Sequence, residues 1–241
     1  MAAGPPALRR SASEDVADAI RAWMFSRGLV PGDRLGREED LAQRFGVSRP
    51  TLREGLRLLS SAHLIRATKG PGGGIFVAAT PEQGIGLSVT ESVASMLSAE
   101  SIELDELFET RMLLEIPLAG LAAQRATEED VAQLRAILDE AGESAQGDAF
   151  RVLDTRLHGT INAIAGNRLA RAFSAWIGAV LQPPLHALIE PAVVDSVVTE
   201  QHRDIVRAIE RGDPTAAERA MREHLVYLHD LVTAVRRVEE R

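Results

Sequence analysis

"FGVSRPTLREGLRLL" (Phe45–Leu59) sets a glycine turn in front of a helix that carries arginines at 49, 53 and 57. Gly46 closes a short preceding helix, "REEDLAQRF" (Arg37–Phe45), and Ser48 caps the next one. Pro50 falls in its first turn, where a missing N–H costs nothing. At about 100° per residue Leu52, Gly55, Leu56 and Leu59 share one apolar stripe, and Arg49, Arg53 and Arg57 share a neighbouring one. Such a helix can lie on its own domain and still project guanidinium groups. Two short helices joined by a glycine turn, the second of them basic, make a helix-turn-helix layout. Arginine is the side chain best shaped for guanine edges and phosphate oxygens.

The flanks fit the same unit. Ser13 is a candidate N-cap for a first helix with Val16, Ile20, Trp23 and Met24 on one face. "GLVPGDRL" (Gly28–Leu35) breaks that helix and offers a short strand. "HLIRATKGPGGGIFVAA" (His63–Ala79) changes period to two strands joined by glycines, a hairpin. Its tip supplies Lys69 and the thinly covered backbone of Gly72, Gly73 and Gly74, suited to phosphates or a minor groove. Residues 1–12 read as a flexible arm, 13–79 as the basic domain, "TPEQG" (80–84) as a linker and 85–241 as a second domain.

Charge supports the division. The formal net charge is −8, yet residues 1–80 hold twelve Lys or Arg against eight Asp or Glu, and the remainder fifteen against twenty-seven. The basic half suits a polyanion and the acidic half does not. No cysteine is present, which excludes disulfides, thiolate metal sites and a cysteine nucleophile, and fits a reducing cytoplasm. No signal-like apolar segment and no membrane-length apolar run is found.

The second half is rich in Ala, Leu, Arg and Glu, with about seven helices expected and no strand pattern, so an antiparallel all-α bundle follows. "QPPL" (Gln182–Leu185) is expected to break or kink one helix. In "VLDTRLHGTINAI" (Val152–Ile164), Asp154, His158 and Asn162 recur every four residues on one helix face. His202 lies ten residues before Gly212, and His224 ten residues after Pro214. At 1.5 Å rise per residue both stand about 15 Å from that turn, side by side in a helical hairpin. Burying facing imidazoles without partners costs about 1–3 kcal/mol per group, and a shared ion would remove the cost. Three histidines and one carboxylate suit Zn²⁺, with Ni²⁺, Mn²⁺ and Fe²⁺ also open.

"GDRLGREEDLAQRFGVSRPTLREGLRLL" and "GGGIFV" resemble the winged helix-turn-helix domain of GntR-family bacterial transcription regulators. The resemblance implies that Arg49, Thr51 and Arg53 contact bases or phosphates and that Gly72–Gly74 form the wing; Ser48, Arg57 and Lys69 join this face. Where many members read "L-P-S-E-R-E-L", this chain has "LGREEDL" (Leu35–Leu41). Glu39 stands at the usual arginine and Arg37 two residues earlier, so either Arg37 takes over the contact or the operator differs there.

"LFETRMLLEIPLAGLAA" (Leu107–Ala123), "DTRLHGTINAIAGN" (Asp154–Asn167) and the two C-terminal histidine helices are similar to the FCD effector-binding domain of the FadR branch. That similarity implies metal ligation by Asp154, His158, His202 and His224, and an effector carboxylate met by Arg111 with help from Asn162. The alternative for Arg111 is an intrahelical pair with Glu115. All four ligands together imply a small carboxylate or hydroxy-acid effector, with a fatty-acid-like one also open, and "LSVTESVASMLS" (Leu87–Ser98) favours a seven-helix form.

The expected function is a ligand-responsive transcription regulator, a repressor, and not an enzyme. A homodimer would set its two recognition helices about 34 Å apart on a near-palindromic double-stranded operator. A metal-dependent hydrolase would use the same three-His, one-Asp set, but no separate general base stands at a telling spacing. An architectural DNA binder without a ligand is the other alternative.

Overall fold

The computed structural model describes residues 11–70, 72–144, 148–188 and 191–239. It is a mainly α protein with one small sheet, in two compact units that divide at Val89/Thr90.

The first unit opens with α1 (Ala12–Ser26). Its N-cap is Ser11, not Ser13: the Ser11 hydroxyl accepts from the Glu14 N–H while the Glu14 carboxylate accepts from the Ser11 N–H, which settles two orphan donors at once. The helical domain thus starts inside the expected arm, and residues 1–10 of that arm lie outside the described residues. β1 (Arg34–Gly36), α2 (Glu38–Phe45) and α3 (Arg49–Ser61) follow. Gly46 adopts a left-handed φ of 65° between α2 and α3, as the turn requires. Ser48 caps α3 through the Thr51 N–H. The expected stripe Leu52, Gly55, Leu56 and Leu59 is the buried face of α3. It packs on Val16, Ala17 and Ile20 of α1. Gly55 is the closest point, since a Cβ there would stand 2.5 Å from Val16 Cγ1.

β2 (Ile65–Thr68) and β3 (Gly74–Val77) form the hairpin in register Ile65↔Val77 to Thr68↔Gly74, and β1 pairs on the other edge of β3, order β1-β3-β2. His63, at the junction of α3 and the wing, takes a left-handed φ of 57°.

The expected linker at 80–84 is instead the start of α4 (Pro81–Ser98). "TPEQ" is a capping box: the Thr80 N–H donates to Gln83 Oε1 at 2.9 Å, and the Gln83 N–H to Thr80 Oγ1 at 3.3 Å. Pro81 sits at the first helical position, where proline is favoured.

The second unit is all-α: the rest of α4, then α5 (Leu104–Arg125), α6 (Glu128–Ser144), α7 (Asp148–Ile164), α8 (Arg168–Leu188), α9 (Pro191–Glu210) and α10 (Pro214–Glu239). With α4 this makes the seven helices expected, counted among the described residues. The expected break at "QPPL" does not occur, because α8 runs through Pro183 and Pro184. Leu181 and Leu185 on either side are buried in one core with Leu107, Phe108 and Leu228, and that burial offsets the lost backbone bonds. A second core joins α5, α6, α7, α9 and α10 through Ala119, Leu134, Leu157, Ile205, Ile209 and Met221. Gly212, at φ 62°, and an Asp213 cap fold α9 back onto α10. Among the described residues no helix is long and apolar enough to cross a membrane.

Candidate metal centre and nucleic-acid interface

On the first unit the arginines of α3 stand exposed, and each holds a carboxylate. Arg49 Nη2 lies 2.5 Å from Glu39 Oε1, Arg53 Nε 2.7 Å from Glu38 Oε2, and Arg57 Nη2 2.6 Å from Glu54 Oε1. The first two bonds tie the start of α2 to α3. The Glu38 hydrogen bond and charge raise the Arg53 guanidinium above its ordinary value. Arg37 is the residue before α2, and its N–H donates to Asp40 Oδ2 at 3.3 Å. Ser48 Oγ lies 2.8 Å from Thr51 Oγ1, so both hydroxyls are engaged at the cap.

At the wing, Lys69 is exposed. Gly73 does not offer the open amide expected of it. Its N–H donates to the Gly70 carbonyl at 2.9 Å, its own carbonyl accepts from Arg34 Nη2 at 3.0 Å, and a Cβ there would lie 2.4 Å from the Thr68 carbonyl. Gly74 pairs with Thr68 at the end of the ladder, and a Cβ on Gly72 would meet nothing within 4 Å.

In the second unit the four residues singled out for metal binding converge from three helices. One ligand atom from each of Asp154 and His158 (α7), His202 (α9) and His224 (α10) lies within 4.8 Å of all the others. The hairpin of α9 and α10 brings its two imidazoles to a ring separation of 4.6 Å, as equal distances from the turn require. His158 Nε2 and His224 Nε2 are 3.3 Å apart, His202 Nε2 and Asp154 Oδ1 3.3 Å, and His158 Nε2 and Asp154 Oδ1 3.7 Å. Bonds of about 2.0–2.2 Å to one ion put its neighbouring ligand atoms about 3–3.6 Å apart; the two 3.3 Å separations fall inside that range and the 3.7 Å one just beyond it.

The outer partners fix the tautomers. His158 Nδ1 lies 2.6 Å from the Glu115 carboxylate and His224 Nδ1 3.1 Å from Gln201 Oε1, and both partners only accept, so both Nδ1 atoms carry the proton. Both Nε2 atoms therefore turn lone pairs toward the same small space. Gln182 Nε2 donates to Asp154 Oδ2 at 3.0 Å, which leaves Oδ1 facing the imidazoles. Facing lone pairs with a carboxylate beside them call for a cation, and hard and borderline divalent ions suit this nitrogen and oxygen set.

Electrostatics favour neutral imidazoles at His202 and His224 and an ionised Asp154. Burial pushes His202 down despite the hydrogen bond and charge of Asp154. Burial, with the nearby His202 and His158, pushes His224 well below its ordinary value. Burial alone would raise Asp154, but the His202 hydrogen bond and the charges of His158, His202 and Arg111 hold it low. Glu115 is likewise opposed by burial, yet Arg111 and His158 bring it to about 2.

Arg111 and Asn162 are both buried beside this centre. Arg111 Nε pairs with Glu115 Oε1 at 3.1 Å, so the intrahelical pair forms. Arg111 Nη1 nevertheless has no partner among the described residues, and neither has Asn162 Oδ1. Asn162 Nδ2 donates to Ser174 Oγ at 2.8 Å, and that hydroxyl donates to Glu115 Oε1 at 2.9 Å. Glu115, Ser174, Gln182 and Gln201 were not singled out as members of the site; only the four-residue spacing of Arg111 and Glu115 could have pointed to one of them. His229 lies elsewhere, 3.3 Å from Asp105 Oδ1.

A winged helix-turn-helix joined to a helical unit with a buried three-His, one-Asp cluster defines a class of two-part regulators, a DNA-binding head with a metabolite-sensing body. Residues 12–77 match the model described as "Bacterial regulatory proteins, gntR family", and residues 106–227 match the FCD domain. The chain belongs to the GntR family of bacterial regulatory proteins and carries an FCD domain. It is 30% identical over 239 residues to the "Putative L-lactate dehydrogenase operon regulatory protein" of Escherichia coli (strain K12), covering 97% of this chain and 90% of that one. It is 27% identical over 212 residues to the "HTH-type transcriptional regulator LutR" of Bacillus subtilis (strain 168), covering 85% and 94%. Among solved structures, Streptococcus agalactiae GntR superposes with a TM-score of 0.67 at 25% identity, covering 89% of this chain and 97% of that one. Proteins of this family are transcription regulators that bind DNA operators and small-molecule effectors, not enzymes.

Proposed function

We propose that this chain is a cytoplasmic repressor of the FadR branch that binds a near-palindromic operator as a homodimer and answers to a small hydroxy-carboxylate held beside a divalent ion, Zn²⁺ first. The observation that carries the reading is the pair of lone-pair nitrogens of His158 and His224, 3.3 Å apart, beside two unpartnered groups of opposite character. Arg111 Nη1 is a donor fit for a carboxylate oxygen, and Asn162 Oδ1 is an acceptor fit for a hydroxyl. A hydroxy acid offers both, and its carboxylate and hydroxyl oxygens also suit a hard or borderline ion. The name of the Escherichia coli relative, a lactate dehydrogenase operon regulator, points to the same ligand class.

Asp154, His158, His202 and His224 would hold the ion, which would supply a positive charge to bind and orient the ligand oxygens. On the head, Arg49, Thr51, Arg53 and Arg57 of α3 would read the operator, and Arg37, Ser48, Lys69 and the wing glycines would contact its backbone. Ligand binding would change operator affinity by differential binding to the two states of the regulator.

The deciding experiment is a thermal-shift screen of hydroxy acids, other short carboxylates and fatty acids, with and without Zn²⁺, followed by gel shifts on the DNA upstream of the regulated gene. A hydroxy acid should raise the melting temperature only in the presence of the ion and release the DNA. Stabilisation by fatty acids alone would replace this ligand class. Equal binding to random and upstream DNA would restore the architectural reading.

A further inference from the structure

The buried carboxylate of Glu115 lies outside the roles assigned so far, and each of its oxygens has a defined partner.

Glu115 sits on α5, which supplies none of the four candidate ligands, and is buried at 2% exposure. Its Oε2 accepts from the His158 Nδ1–H at 2.6 Å. Its Oε1 accepts from Arg111 Nε at 3.1 Å and from Ser174 Oγ at 2.9 Å. The carboxylate is therefore held on both oxygens and cannot turn away from the imidazole. The third link, Asn162 Nδ2 to Ser174 Oγ, fixes the direction of the serine proton toward Glu115. Gln201 plays a similar part for His224, but as a neutral group at 3.1 Å. A carboxylate behind a ligating imidazole does more. It selects the tautomer, locks the ring and makes the facing nitrogen a stronger donor. The burial is otherwise unexplained, since a buried arginine–glutamate pair adds little stability over apolar residues of the same size.

We infer that Glu115 is a positioning residue of the metal centre, which locks the His158 ring with Nε2 toward the ion and strengthens that nitrogen as a donor. The inference rests on the reading of Asp154, His158, His202 and His224 as ligands of one ion. It adds that α5, the helix carrying Arg111, is tied to the centre through one carboxylate.

The test uses the full chain stripped of metal, with Zn²⁺ titrated against a chromophoric chelator and Co²⁺ added as a spectroscopic probe. Glu115→Gln keeps an acceptor for His158 and removes the charge. It should weaken Zn²⁺ by about 10–100-fold and shift the visible Co²⁺ absorption bands. Because Glu115→Gln leaves Arg111 buried without its counter-charge, the paired variant Arg111→Gln with Glu115→Gln is measured as well. It removes both charges and should show the same weakening and band shift in a folded protein. A purely structural glutamate would lower the melting temperature of the metal-free protein and leave both metal readouts at wild-type values, which would overturn the inference. His202→Ala separates this failure from that of the centre itself. If wild-type protein takes up neither ion, or His202→Ala takes them up as well as wild type, the four-residue centre is wrong and the role of Glu115 falls with it.

Discussion

His158 Nε2 and His224 Nε2 face each other across 3.3 Å, and with Nδ1–H of each ring donating to Glu115 and Gln201 both turn a lone pair inward. Without an ion this arrangement is repulsive, and with one it is a preformed half of a coordination shell. Stripping metal with a chelator should therefore lower the melting temperature, and returning Zn²⁺ should restore it. At a free ion concentration of 100 times the dissociation constant the linkage amounts to about 2.7 kcal/mol. For a chain of this size that is roughly 5–10 °C. His202→Ala together with His224→Ala should abolish the Zn²⁺-dependent shift, and a retained shift would move the ion elsewhere.

Acid should destabilise the metal-free protein in two windows. Burial holds the folded His224 well below its ordinary value of 6.5, and His202 is lowered too, so the unfolded chain binds more protons as pH falls past that value. Stability then drops with falling pH, by up to about 1.4 kcal/mol per pH unit for each histidine. Asp154 and Glu115 are depressed in the folded state, so their contribution is present above the ordinary carboxylate range and is lost only at lower pH. Urea titrations in chelator from pH 7.5 to 5 should show the histidine slope, and His224→Gln should make it shallower. A flat wild-type profile over that range would contradict the burial of these imidazoles in neutral form.

Arg111→Lys tests the ligand reading. Lysine keeps a positive charge near Glu115 but lacks the fork whose Nη1 is unpartnered. Zn²⁺ uptake should change little, while stabilisation by hydroxy acids in the presence of Zn²⁺ should fall by tenfold or more in ligand concentration. Unaltered ligand response would remove Arg111 from the pocket.

Much of the geometry of both candidate sites is legible along the chain, and the remainder shows where local pattern ends. The α3 stripe and its arginines follow from one helical period, and Asp154 with His158 from another. The meeting of His202 and His224 follows from their equal distance to one turn. Ser174, Gln182 and Gln201 stand on α8 and α9 with no repeat to mark them, so only the packing of helices discloses them. The reading of "TPEQG" as a linker misses that the same letters spell a capping box, and the break or kink expected at "QPPL" leaves out the burial of Leu181 and Leu185, which is a tertiary fact.

The ion pairs of α2 with α3 bear on DNA affinity. Arg49 and Arg53 each give one guanidinium nitrogen to Glu39 and Glu38, so in the proposed reading those carboxylates would compete with phosphates and bases for the two side chains. Both pairs are exposed, and such pairs are weak, so the competition is weak. Glu38→Gln with Glu39→Gln should tighten binding to operator and to random DNA alike by a few-fold, as repulsion from phosphates is removed, and leave the ratio between them unchanged. Arg53→Ala should lose operator binding with Zn²⁺ uptake intact. If the double glutamine variant weakens operator binding selectively, Glu38 or Glu39 reads a base directly, as a carboxylate can from a cytosine amino group.

Gly55 offers a test of the head alone. Alanine is the better helix former by about 1 kcal/mol, so at an exposed position Gly55→Ala would stabilise α3. Here the added Cβ would stand 2.5 Å from Val16 Cγ1 and 3.1 Å from the Ser13 carbonyl oxygen. Val16 is buried and the Ser13 oxygen is backbone in α1, so neither neighbour can withdraw without parting the two helices. Overpacking of this kind costs about 1–3 kcal/mol, more than the propensity returns. The variant should therefore speed hydrogen exchange in α1 and α3 and weaken operator binding, with Zn²⁺ uptake unchanged, because the centre is built wholly from the other unit. Gly55→Ala combined with Val16→Ala removes the shorter contact and should recover part of the protection. Slower exchange in the single variant would mean that α1 and α3 do not approach as closely as Gly55 implies.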